Sequence, residues 1–161
     1  MADLRAAFEA EGYDEVRTYI QTGNVLFTSD APRASMEDRL EALLERRFGF
    51  PLVVVVRSHR QLRTVVEKAP SGFGRTPDTH HSDVIFLKDG LSSRQAMRVV
   101  ELREGVDRAW PGPGVLYFER LSARRTASRM NRIVGTPEYQ RMTIRSWTTT
   151  AKLLDLLEAR S

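Results

Sequence analysis

Four predicted elements recur along this chain at nearly constant spacing, and that recurrence constrains the fold more than any other feature. Strands begin at Val16 and again at Val106, at Asn24 and Val115, and at Leu52 and Arg141; a closing helix begins at Ser58 and again at Thr148. The offsets are 90, 91, 89 and 90 residues. A fixed offset across four elements argues for internal duplication, although residue identity between the copies is low.

The elements come from local patterning. In the first copy a helix is predicted over Asp3–Glu11, with Leu4, Ala7 and Phe8 on one face and Gly12 as the stop. Strands Val16–Gln21 and Asn24–Thr28 flank the hairpin signal Thr22-Gly23-Asn24. A helix over Ser35–Phe48 reads Ser35 and Asp38 as a capping pair and ends at Gly49. The apolar run Leu52–Arg57 reads as a strand covered on both faces or central in its sheet, and Ser58–Ala69 as a helix opened by Ser58 and Gln61. The second copy reads as strand Asp83–Lys88, helix Ser92–Arg103, strands Val106–Trp110 and Val115–Arg120 around Pro111-Gly112-Pro113-Gly114, helix Arg124–Val134, strand Arg141–Arg145 and helix Thr148–Arg160.

This order is α+β and matches two tandem ferredoxin-like βαββαβ lobes, the first lacking its first strand. Residues 1–69 are expected to form the incomplete lobe with a trailing helix, 70–82 a Pro/Gly/Ser-rich linker, and 83–161 the second lobe with its C-terminal helix. The offset places the absent strand near position −7, where it would stand between two others. Met1 is therefore expected to be an internal methionine of a longer protein; filling of the gap by another chain, or rearrangement of the lobe, are the alternatives.

Composition limits the chemistry. With no cysteine, disulfides, thiolate catalysis and Cys-based zinc sites are excluded. The longest apolar run, Phe50–Val56, is far shorter than the ~20 residues a bilayer needs, so no membrane role is expected and the location is read as cytoplasmic. Charge is uneven. Residues 1–89 carry 12 Lys/Arg against 14 Asp/Glu, and residues 90–161 carry 13 against 7. Such asymmetry can mark an anionic partner; Arg outnumbering Lys 22 to 3 also fits a GC-rich genome.

Two segments resemble motifs of a known family. The hairpin Thr18-Tyr19-Ile20-Gln21-Thr22-Gly23-Asn24-Val25-Leu26-Phe27 is similar to TYIQSGNVVF, and Thr143-Ile144-Arg145-Ser146-Trp147-Thr148-Thr149-Thr150-Ala151-Lys152-Leu153 to T-x-R-N-W-N-T-V-x-K-L, both of the bacterial domain-of-unknown-function family DUF1697. Ser128-Arg129-Met130 resembles that family's S-K-L. The resemblance spans the whole chain. It implies tandem ferredoxin-like lobes and an N-terminal strand with a Gly-rich loop, ALLRGINVGG-like, that this sequence does not contain. Ser146 and Thr148 stand where the family has Asn, which removes any role needing a side-chain amide there. No activity is implied.

Two sets of residues are candidate sites. The first is a ligand site of Gln21, Thr22 and Asn24 at the hairpin with Arg145, Trp147 and Lys152 of the closing motif. Topology puts an absent Gly-rich loop beside Gln21–Asn24, and a helix N-terminus beside Arg145 attracts anions. The same residues also serve as turn, cap and packing groups. The second is a basic patch of Arg120, Arg124, Arg125, Arg129, Arg132 and Arg141. On a helix, Arg124, Arg125, Ser128, Arg129 and Arg132 would share one arc of about 140°. Solvation explains such a face, and so does phosphate contact. His80 and His81 fall in the linker and read as solvated, so no metal site is expected. No Ser/His/Asp set, HExxH, Walker loop or GxGxxG occurs.

The resulting expectation is a non-catalytic binding protein for an anionic partner, nucleic acid or a phosphate-bearing ligand, with no cofactor. One alternative is a small-molecule site or enzyme that needs the absent Gly-rich loop. Another is an interaction module, including a homodimer, that uses the open sheet of the first lobe.

Overall fold

The computed structural model describes residues 2–20 and 23–160. Helix α1 (Ala2–Ala10) leads into the antiparallel pair β1 (Asp14–Tyr19) and β2 (Asn24–Thr28), followed by α2 (Arg33–Phe48) and α3 (His59–Glu67). A four-stranded sheet is then built from β3 (His80–Leu87), β4 (Asp107–Gly112), β5 (Val115–Leu121) and β6 (Met142–Ser146), with the short helix α4 (Ser93–Met97) after β3 and α5 (Trp147–Glu158) closing the chain. The fold is mixed α+β with two antiparallel sheets. The larger has the order β4-β5-β3-β6, so β3 lies between β5 and β6 and is antiparallel to both. The smaller has two strands among the described residues.

Three apolar cores hold these elements. Ala7, Phe8, Val16, Met36, Leu40 and Leu44 close α1 and α2 over the β1–β2 pair. Ile85, Leu87, Leu116, Phe118, Met130 and Ile133 pack one face of the large sheet. The other face, with Val84, Phe86, Val115 and Tyr117, is covered by Leu62 and Val65 of α3 and by Leu153, Leu154 and Leu157 of α5. Strand alternation explains the sorting, since odd and even positions of β3 and β5 serve opposite cores. Each fully buried large side chain contributes about 1.5–3 kcal/mol.

Several boundaries differ from expectation for identifiable reasons. α2 begins at Arg33 without a side-chain cap; Ser35 instead donates its hydroxyl to the Pro32 carbonyl. Its stop at Gly49, with φ of 82°, is as expected. The Ser58–Gln61 capping box is present, and Ser92–Gln95 forms a second one. α4 is only five residues long, because Arg98, Val99 and Val100 turn into i→i−3 bonds and the Asp107 carboxylate takes the Arg103 amide. β3 begins at His80, which draws His80 and His81 out of the expected linker into the sheet.

The expected helix Arg124–Val134 does not form. Three 3-10 turns replace it, over Ser122–Ala127, Met130–Gly135 and Pro137–Arg141. Side chains capture the amides an α-helix would use: Asp107 Oδ2 accepts from Arg129 N at 2.8 Å, and Ser128 Oγ from Met130 N at 3.2 Å. Short polar side chains compete with helical bonding in this way. Ser128 is extended, with φ of −62° and ψ of 144°, so no single arginine-bearing face exists.

Tyr117 ties β5 to α3 within one core, its buried hydroxyl donating to the Val65 carbonyl. Burial pushes its phenol from 10.0 up to about 12. A folded-state value raised above the unfolded one means stabilisation that is whole below about pH 10 and lost as pH rises toward 12. Chemical denaturation between pH 9 and 12 should therefore show a steeper loss for the native chain than for Tyr117→Phe; parallel slopes would rule the effect out.

Candidate functional site

The hairpin and the closing motif, far apart in sequence, meet in space. The chain reverses after β1 with Ile20 at φ of 50° and Gly23 at φ of 84°. A positive φ is ordinary for glycine and an outlier for a β-branched residue. Ile20 is also exposed, so the hairpin tip holds an apolar side chain in water at a strained position. Asn24 is buried, at 7% exposure, and locks the turn by donating Nδ2 to the Tyr19 carbonyl at 3.0 Å. Its Oδ1 accepts from Arg145 Nε at 2.7 Å.

Alternation along β6 sets Arg145 in place. Met142 and Ile144 face one core of the large sheet, and Thr143 and Arg145 face the opposite way. Arg145 Nη1 donates to Thr143 Oγ1 at 2.7 Å and to the Ile144 carbonyl at 2.9 Å. Burial pulls the Arg145 guanidinium below its ordinary value, because desolvation disfavours the charged form. Ser146 then caps α5, accepting from Thr149 N at 3.1 Å.

Arg57 is the second cation. It follows the Leu52–Val56 run, and its Nη2 donates to the carbonyls of Leu87 and Gly114, both at 2.7 Å. Glu37 Oε2 lies 3.7 Å from its Nη1. Burial lowers the Arg57 pKa as well, with Arg33 as a further cause. Arg57 and Arg145 both line two adjoining cavities, of about 320 and 170 Å³, which also share Gly23, Val25, Phe27 and Thr143. Among the described residues, no carboxylate lines either cavity.

The cavities lie between β2 and the segment 52–57. That segment is extended but joins no ladder among the described residues, so the expected strand is missing its partner. Its side chains are half-buried rather than covered on both faces: Leu52, Val54 and Val56 pack against the first core and Val55 against the core beneath α3 and α5. Two carboxylates of α2 hold one backbone edge. Glu41 Oε2 accepts from Val54 N at 2.9 Å and Glu37 Oε2 from Val56 N at 2.8 Å.

Of the expected ligand residues, Asn24 and Arg145 are thus brought together. Gln21 and Thr22 lie outside the described residues. Trp147 packs edge-on against Phe73 at 5.3 Å, and Lys152 is exposed on α5. The residues of the expected basic patch do not share a helical face. Arg124 and Arg125 are exposed, Arg132 pairs with Glu101 at 2.8 Å, Arg120 donates to Met130 Sδ at 3.4 Å, Arg129 is half-buried, and Arg141 sits beside Gly90. Sequence reasoning missed Arg57, Thr143 and the Glu37/Glu41 pair. An Arg ending a valine run, and two acids four apart on a helix, were the available signals.

By fold and site this is a mixed α+β protein with a cation-lined cleft where its two sheets meet. The chain belongs to the family described as protein of unknown function (DUF1697), whose profile matches residues 1–117. Among solved structures it is similar to the conserved bacterial protein SP0830 from Streptococcus pneumoniae, with a TM-score of 0.82, 23% identity, and coverage of 98% of this chain and 88% of that one. At that identity the likeness concerns the fold alone. No curated protein matches the sequence. No helix among the described residues is long and apolar enough to cross a membrane.

Proposed function

We propose that the protein is a non-catalytic binding protein for an anionic partner, received in the cleft lined by Arg57 and Arg145. The observation that carries this reading is the convergence of two motifs, 121 residues apart at their point of contact, on the Asn24–Arg145 pair at a cleft lined by no acid among the described residues. A guanidinium held out of water is destabilised in its charged form, and an anion beside it restores the lost solvation. Asn24 and Thr143 hold Arg145 in place, and its positive charge at the cleft supports attraction of a carboxylate or a phosphate.

The test is thermal stabilisation by a panel of phosphate, nucleotides, dicarboxylates and short RNA. A ligand at about a hundredfold its Kd adds roughly 2.7 kcal/mol, or some 5–10 °C for a chain of this size. Arg145→Met should abolish the shift, while the paired change Arg124→Ser and Arg125→Ser leaves it intact. A shift that survives Arg145→Met and disappears in the paired variant moves the site to the 3-10 turns and defeats this reading.

A further inference from the structure

We infer that the recess where α3, the β4–β5 turn and the loop after β3 meet is an anion site separate from the cleft, suited to the phosphomonoester of a small hydroxylated ligand of the sugar-phosphate class. The recess has a volume of about 410 Å³, and none of its lining residues belongs to β2 or to residues 52–56. Antiparallel pairing of β3 with β5 assembles it. Phe86 lies opposite Val115, and Leu87 N donates to the Gly114 carbonyl at 3.0 Å, so the loop 88–91 and the turn 113–114 sit side by side. Arg57, bonded to the Leu87 and Gly114 carbonyls, brings the start of α3 against them.

Among the described residues the lining carries four cations, Arg33, Arg57, Arg60 and Lys88, and one carboxylate, Asp89. Three of those cations are already matched. Glu37 lies 3.7 Å from Arg33 and from Arg57, and Asp38 and Glu41 hold Lys88 at 2.8 and 2.5 Å. Asp89 is engaged with Arg33 at 3.5 Å. Arg60 differs: it is exposed and has no ion pair among the described residues. Arg141 is the second such cation. It borders the recess through Gly90, where a β-carbon would lie 2.9 Å from its Nη2. Two guanidiniums thus flank the recess without a carboxylate partner.

A phosphomonoester has three terminal oxygens and a charge near −2, enough to engage both forks. A phosphodiester has one charge and two free oxygens, so a nucleic-acid backbone fits less well. The volume exceeds what a lone phosphate fills and lies within the ~300–1,000 Å³ of small-molecule sites. Gln61, its Oε1 fixed on Ser58 N at 2.9 Å, keeps its amide nitrogen for a ligand hydroxyl, and Leu87, Leu91 and Pro113 supply a small apolar wall.

The whole chain is titrated with ribose 5-phosphate, inorganic phosphate and ribose, with backbone amide NMR shifts as the readout. Near its Kd such a site moves Tm by only about 1 °C, so residue-resolved shifts are the measure. Saturable shifts are expected at Gly90, Leu91 and Gly114, with ribose 5-phosphate bound tighter than inorganic phosphate and ribose not bound. Arg60→Ser combined with Arg141→Ser should weaken binding by at least about tenfold. Arg124→Ser combined with Arg125→Ser, an equal change of charge, should leave it within about twofold. Absence of saturable shifts, or equal losses in the two double variants, overturns the site. Equal affinity for inorganic phosphate overturns the organic body. Shifts confined to Val25 and Thr143 place the anion in the cleft alone, which overturns this inference and upholds the reading above. Shifts at Gly90 and Gly114 that survive Arg145→Met uphold this site whatever becomes of the cleft.

Discussion

Glu37→Ala is expected to lower stability by about 3–5 kcal/mol, on the order of 10 °C in Tm. Glu37 is 1% exposed and serves four groups at once. Its carboxylate accepts from the amides of Val56 at 2.8 Å and Asp89 at 2.9 Å, and lies 3.7 Å from both Arg33 and Arg57. Removing it orphans two backbone donors and leaves Arg57, whose side chain is 11% exposed, without its nearest carboxylate. The position joins α2, the 52–57 segment and the end of β3, so the loss is felt in both halves of the chain. Glu37→Gln keeps an acceptor oxygen and should be milder by at least about 1 kcal/mol. Thermal and urea unfolding of both variants checks this; a change under about 1 kcal/mol for Glu37→Ala would show that the latch is not structural.

Phe73→Ala should cost a similar amount, about 3–5 kcal/mol. The ring is 4% exposed and stands at the centre of an aromatic cluster, edge-on to Trp110 at 6.0 Å, Tyr117 at 5.3 Å and Trp147 at 5.3 Å. The next residue, Gly74, is pinned twice. Its amide donates to the buried Glu119 carboxylate at 3.2 Å, and a β-carbon there would lie 2.3 Å from Trp147 at a φ of 73°. The variant should therefore also redden Trp147 emission as water reaches the indole. A free linker would tolerate the change within about 0.5 kcal/mol, so the two descriptions of residues 70–79 differ by a measurable margin.

That contrast shows where local pattern stops being informative. Pro, Gly and Ser in residues 70–82 signal turns correctly, and turns are what the backbone makes. Nothing in that composition says that Phe73 enters a core, because its three aromatic partners come from β4, β5 and α5. The candidate site divides the same way. Asn24 and Arg145 were each visible as motif residues, but their contact was not, and Arg57 was hidden because its partners are backbone carbonyls of Leu87 and Gly114. The arginine face of Arg124–Val134 had the right periodicity for a helix and lost to Asp107, a residue on another strand.

What the amino-acid order determines alone is therefore short-range: strand alternation, the Gly23 hairpin, the Ser58 capping box, the Gly49 stop, and the near-90-residue recurrence of those signals. These depend on interactions within a few residues, which the order of side chains specifies directly. Tertiary structure decided the rest. It placed α3 on the large sheet, broke one predicted helix into 3-10 turns, and brought the hairpin and closing motifs to one cleft. Those outcomes are set by competition among distant groups for buried backbone donors and apolar surface, and only the assembled core settles which group wins.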